Sequence, residues 1–87
     1  WLHWMKTEHA PEMMRTGLFS DYRICRLLEQ DEREGPTFVV QYNCDSMEHY
    51  EAYLSAHADA MRQKGLQKFG DQVAAFRTLM ETLNERP

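Results

Sequence analysis

The chain has 87 residues and a formal net charge of −4, from ten Lys and Arg against fourteen Asp and Glu. That length makes one domain, residues 1–87, able to bury roughly 60–65 % of the surface its unfolded chain exposes, so a small core assisted by a partner is expected. The basic residues are spread from Lys6 to Arg86 without a cationic stripe, which argues against nucleic acid as a partner, and the longest apolar run of the strand-like stretches, Phe38 to Val40, argues against a membrane span.

From Trp1 to Thr16, the positions Leu2, Met5, His9 and Met13 recur at helical spacing, leaving Lys6, Glu8, Glu12 and Arg15 for solvent. The pattern predicts a first helix closed by Gly17. Pro11 has no N–H and its ring crowds the carbonyl of Thr7, so this helix should bend near His9-Ala10 or restart with Pro11 in its first turn. The chain opens on Trp1, already inside the helical pattern, and is expected to begin inside its domain.

Tyr22 to Leu28 and Thr37 to Cys44 alternate β-branched and aromatic residues with polar ones, and the polar residues Glu29 to Pro36 join them with Gly35-Pro36 as turn signal. The second run is the stretch around which the chain is built. A symmetric loop would make the numbers of opposed residues sum to about 65, placing Cys25 opposite Val40. One face then holds Cys25 and Leu27 beside Val40 and Phe38; the other holds Tyr22, Ile24, Arg26 and Leu28 against Asn43, Gln41, Val39 and Thr37. That second face is too apolar for water and too polar for an ordinary core, and calls for a cover of its own. In this register Cys44 lies roughly 13 Å along the strand from the partner of Cys25, too far for a disulfide. Buried, reduced thiols in a cytoplasmic protein are expected.

Asp45-Ser46-Met47-Glu48 is a helix start in which Asp45 accepts from first-turn N–H groups and Glu48 reaches back. The stripe Met47, Tyr50, Leu54, His57 and Met61 predicts a long second helix, continued by Leu66 and Phe69 to a stop at Gly70, with a bend near Ala58-Asp59 or Gly65. Gln72 to Met80 reads as a last strand, apolar on both faces and hence buried on both. The tail from Thr82 to Pro87 should fray.

Helix, strand, strand, helix, strand is one element short of the split β-α-β unit of ferredoxin-like domains. The absent strand would precede Trp1 and lie centrally, between the last strand and Thr37 to Cys44. Either it exists in the native gene, or direct pairing or a partner's strand fills the slot. The runs Trp1 to Thr16, Tyr22-Arg23-Ile24-Cys25-Arg26-Leu27-Leu28-Glu29, Gln41-Tyr42-Asn43-Cys44-Asp45-Ser46-Met47-Glu48-His49-Tyr50, and Phe69-Gly70 with Phe76-Arg77-Thr78 resemble a small bacterial family, domain-of-unknown-function family 4286. The resemblance covers nearly the whole chain, departs where the family has an N-terminal strand, and brings no established catalytic residue, substrate or cofactor. It implies an α+β, ferredoxin-like (βαββαβ) sandwich with two helices on one face of an antiparallel sheet, dimerising through the other face as a dimeric α/β barrel.

Among residues that could carry chemistry, His9 and His57 occupy the apolar seams of their helices, and imidazole is the side chain whose ordinary pKa suits a general base or ligand anchor, with Tyr42 nearby. The plainer reading is a hydrogen-bonded boundary histidine. Arg26 and Arg77 sit among apolar neighbours and are placed on the mixed face with Tyr22 and Gln41. An ion pair across a dimer, to Asp21, Glu29 or Glu81, is the plainer role; a pocket gripping a carboxylate or other small anion is the sharper one. Asp45 with His49 and His9 with Glu12 have helical spacing but are only pairs, so no metal site is expected, nor any cofactor. The acidic loop Asp31-Glu32-Arg33-Glu34 is read as solvated. The function expected is a cytoplasmic homodimeric small-molecule-binding or regulatory module. The rivals are a cofactor-free enzyme resembling the monooxygenases and isomerases of the same superfamily, and an assembly scaffold.

Overall fold

The N-terminal pattern forms a helix of uneven pitch. In the computed structural model, which describes residues 1–85, α1 (Leu2–Trp4) runs into a π-helical stretch, Met5–His9, and then into α2 (Ala10–Arg15). The expected bend or restart at Pro11 takes this form. Pro11 cannot donate to Thr7 and crowds its carbonyl, and widening the preceding turn, with the Ala10 N–H donating to the Met5 carbonyl five residues back, relieves the crowding without ending the helix. At the C-terminal end the Thr16 hydroxyl donates to the Met13 carbonyl at 2.7 Å, and Gly17, at φ +76°, turns the chain away.

The hairpin consists of β1 (Asp21–Arg26) and β2 (Phe38–Asn43), antiparallel, with Tyr22 opposite Tyr42, Ile24 opposite Val40, Cys25 opposite Val39 and Arg26 opposite Phe38. This register is one residue away from the expected one, and a slip of one residue moves every side chain to the other face. The cause lies in the loop: the Leu27 N–H donates to the Thr37 carbonyl at 2.8 Å, and Leu28, 74 % exposed, belongs to the loop rather than to the strand. Tyr22, Ile24 and Arg26 therefore share a face with Tyr42, Val40 and Phe38. Arg23 and Cys25 share the other with Gln41, Val39 and Asn43. The mixed face expected of Tyr22, Ile24 and Arg26 with Val39 and Gln41 does not form, nor does the pairing of Cys25 and Leu27 with Val40 and Phe38. The outer face is more polar than anticipated, and on it Arg23 donates to Gln41 at 2.7 Å.

The second helical run begins at Ser46, whose hydroxyl accepts from the His49 N–H at 3.2 Å. Ser46 is thus the cap, not Asp45. The helix divides at His57, where φ is −130°, into α3 (Met47–Ala56) and α4 (Ala58–Phe69), and stops at Gly70 with φ +58°. Buried positions are Tyr53 and Met61; Met47 and Leu54 of the expected stripe are 58 % and 40 % exposed. Leu66 is exposed as well, whereas Tyr50, His57, Met61 and Phe69 of that stripe are buried or half-buried as expected, with Tyr53 and Gly65 joining them on the seam.

Met13, Tyr53 and Met61 form the core, with Leu18, Phe19, Tyr42 and Ala58 against it. Phe19 bridges Tyr42 and Tyr53 at ring separations of 5.4 and 5.1 Å, and Trp1 stacks on Phe38 at 5.3 Å. The architecture is α+β: helices cover the Phe38–Val40–Tyr42 face of a two-stranded antiparallel sheet.

Gln72 to Met80 does not form the expected last strand. Gly70–Gln72 is a single 3-10 turn, and residues 73–85 lie in neither helix nor strand, with Phe76 96 % and Met80 67 % exposed. A strand exists only through its ladder, and among the described residues this segment pairs with no edge. The bonded Leu27–Thr37 pair sets an alternation in which Phe38, Val40 and Tyr42 direct their N–H and C=O groups to the open edge of β2. Among the described residues that edge stays unpaired, and the expected burial of residues 72–80 on two faces is not seen. Of the tail expected to fray, Thr82 to Glu85 are exposed, and Arg86 and Pro87 lie outside the described residues.

Candidate functional site

The register that displaced the mixed face brings Arg26 onto the helix-facing side of the hairpin. There Leu2 and Lys6 of the N-terminal helix meet Ile24, Cys25 and Arg26 of β1 and Pro36 and Phe38 across a cleft of about 330 Å³. Its floor is apolar, and Arg26 and Lys6 are its two cations. Arg26 grips the Glu32 carboxylate from the hairpin loop: Nε lies 3.0 Å and Nη2 2.6 Å from Oε1, and Nη2 lies 2.5 Å from Oε2. This two-nitrogen grip, reinforced by the opposite charge, holds the guanidinium above its ordinary pKa. Arg26 thus has an ion pair within its own chain, to a residue not among the anticipated partners. Lys6 makes no ion pair among the described residues.

Arg77 does not join it. Lying in the irregular C-terminal segment, it places its guanidinium carbon 5.7 Å from the centre of the Tyr53 ring, a cation–π contact rather than an ion pair. Nor do the histidines meet. His9 stacks on Trp4 at 4.7 Å, while His57, at the α3–α4 break, stands edge-on to Tyr53 at 6.4 Å. Burial, and secondarily the charge of Lys64, lower the His9 pKa, and among the described residues its buried Nδ1 has no hydrogen-bond partner. Tyr42 is a packing residue: its hydroxyl donates to the Met5 sulfur at 3.8 Å, and burial, then the neighbouring Tyr53 and Tyr22, push its pKa up to about 12. Neither His9, His57 nor Tyr42 lines the Arg26 cleft.

A second cleft, of about 390 Å³, separates the N-terminal helix from α4 and is lined by Trp4, Glu8, Glu12, Lys64, Gln67 and Lys68. Its charges already answer one another, Lys64 with Glu12 and Lys68 with Glu8 at 3.7 Å. It is an ion-pair seam between two helices. Among the described residues no three His, Cys, Asp or Glu side chains converge as metal ligands, and no helix is long and apolar enough to cross a membrane. Cys25 and Cys44 are free thiols; Cys25 is exposed, against the expectation that both are buried, and Cys44 donates to the carbonyls of Leu18 and Ser46 at 3.4 and 3.3 Å.

Sequence reasoning singled out Arg26 but missed Lys6 and Glu32. Lys6 reads as a solvated helix position, and only the crossing of helix and hairpin sets it beside β1. Glu32 reads as part of a solvated acidic loop. The available signal was its position within a loop that returns past the end of β1, which brings a carboxylate back over Arg26.

A family model described as Domain of unknown function (DUF4286) matches residues 1–83. No curated protein matches the chain, and no solved structure does.

Proposed function

The chain belongs to the DUF4286 family, and on that premise we propose that it is a cytoplasmic, homodimeric small-molecule-binding or regulatory module of ferredoxin-like architecture. The observation that carries this reading is the apolar cleft bounded by Arg26 and Lys6, where a planar fork of donors and a second cation suit a small anion. The ferredoxin-like assignment is supported by a hairpin between two helical arms that cover one sheet face, with β2 open along the edge where a central strand would lie. Self-association through the sheet is supported by the exposed Val39 on its outer face and by Leu27 at its end. Free cysteines accord with a reducing compartment.

The monooxygenase- or isomerase-like alternative has less support. It needs polar groups converging in a cavity, and His9 and Tyr42 are engaged in stacking and packing instead. The exposed C-terminal apolar segment favours the scaffold reading, which predicts association without any ligand.

The test is titration with acetate, benzoate, octanoate and inorganic phosphate, followed by amide chemical shifts, with molecular mass in solution measured alongside. Binding that perturbs Lys6, Arg26 and Phe38 and is abolished by Arg26→Met, with the dimer mass intact, supports the reading. A monomeric mass, or silence toward all four anions, refutes it. Loss of the dimer on Arg26→Met assigns Arg26 a structural role.

A further inference from the structure

Resting on the reading of the Arg26 cleft as a binding site, we propose that its ligand is a small amphipathic carboxylate, and that Glu32 holds the place of the ligand's carboxylate until it arrives. Glu32 shows what the Arg26 position accepts: a planar carboxylate engaged by Nε and Nη2 together. The pair is lightly held. The side chains of Arg26 and Glu32 are 53 % and 36 % exposed, a setting in which an ion pair adds little stability. Glu32 also sits in a loop without helix or strand, Leu28 to Pro36, so it can swing away without breaking a ladder.

The remainder of the cleft selects the body of the ligand. Leu2, Ile24, Pro36 and Phe38 offer apolar surface, and the volume lies at the small end of ligand sites. Lys6 supplies a cation that Glu32 does not neutralise, so the exchange of one carboxylate for another leaves the cleft electrostatically favourable. A phosphate ion would engage the cations but leave the apolar floor wet. A medium-chain fatty acid or an aryl carboxylate satisfies both.

The experiment titrates octanoate, octan-1-ol, acetate and inorganic phosphate into the wild-type chain, Glu32→Gln and Arg26→Met, with affinity read by calorimetry and location by amide shifts. Octanoate is expected to bind at Leu2, Ile24 and Phe38, with octanol and acetate each weaker by about tenfold or more. Glu32→Gln should tighten octanoate by up to about fivefold, the upper limit for releasing an exposed ion pair. Arg26→Met should weaken it by about tenfold or more. Octanoate binding that Glu32→Gln leaves unchanged or weakens overturns the place-holding role alone. Phosphate binding without octanoate binding overturns the ligand class while the site survives. Silence toward every probe, in Glu32→Gln as in the wild type, overturns the site itself.

Discussion

Two glycines on the same helix should respond oppositely to alanine. Gly65 lies inside α4 with ordinary helical backbone, and a Cβ built there meets only Cη2 of Trp4, at 3.9 Å, which is normal van der Waals contact. Alanine is favoured over glycine in a helix interior by about 1 kcal/mol, partly because the unfolded chain loses freedom. Nothing at 3.9 Å subtracts from this, so Gly65→Ala should stabilise by about 0.5–1 kcal/mol. For a domain of this size that corresponds to a rise in Tm of roughly 2–8 °C. Gly70 also has open space around its Cβ position, but its backbone sits at φ +58°, ψ −128°. There alanine pays for backbone strain of about 1–3 kcal/mol, with no crowding to confuse the result. Thermal and urea unfolding followed by circular dichroism at one fixed protein concentration, so that association does not shift the midpoint, measures both. A fall in Tm for Gly65→Ala would mean that Trp4 packs more closely on α4 than the 3.9 Å approach implies. A neutral Gly70→Ala would mean that α4 does not end there.

Ser46→Ala should lower stability by about 1 kcal/mol through loss of the bond to the His49 N–H, whereas Asp45→Ala should stay within about 0.5 kcal/mol; urea midpoints separate the two. His9 has a folded pKa lowered below 6.5, so as pH falls through 6.5 the unfolded chain takes up a proton that the folded chain resists. The stability associated with neutral His9 is thus complete above 6.5 and declines toward the lower, folded value. His9→Gln should flatten that part of the profile, and equal slopes in the two proteins would refute the assignment. Tyr42 is raised from 10.0 to about 12, so the unfolded chain ionises first and stability should fall as pH rises past 10. Ultraviolet titration should show a late-ionising tyrosine that disappears in Tyr42→Phe.

Reading the sequence alone found the hairpin, the two helical runs and their ends at Gly17 and Gly70, because alternation, 3.6-residue periodicity and glycine punctuation are written within a few residues of where they act. It also marked Pro11 as a disturbance, since proline's missing donor and its ring are properties of the residue itself. The choice among responses belonged to the fold: a π turn keeps Met5, Ala10 and Met13 buried on one side. The same division explains Ser46, since Asp45 is an equally good cap by type and only the path out of β2 selects the serine.

Register was the larger non-local decision. Strands repeat every two residues, so whether Arg26 meets Glu32 over the cleft or Val39 on the outer face turned on a single loop residue, Leu28. The strand-like composition of Gln72 to Met80 likewise states only a readiness to pair, and Phe76 remains 96 % exposed where the segment joins no ladder among the described residues. Local residues determined which segments are helical or extended; tertiary structure alone decided which face, which partner and which cleft they serve, because ladders and clefts form between residues far apart in the chain.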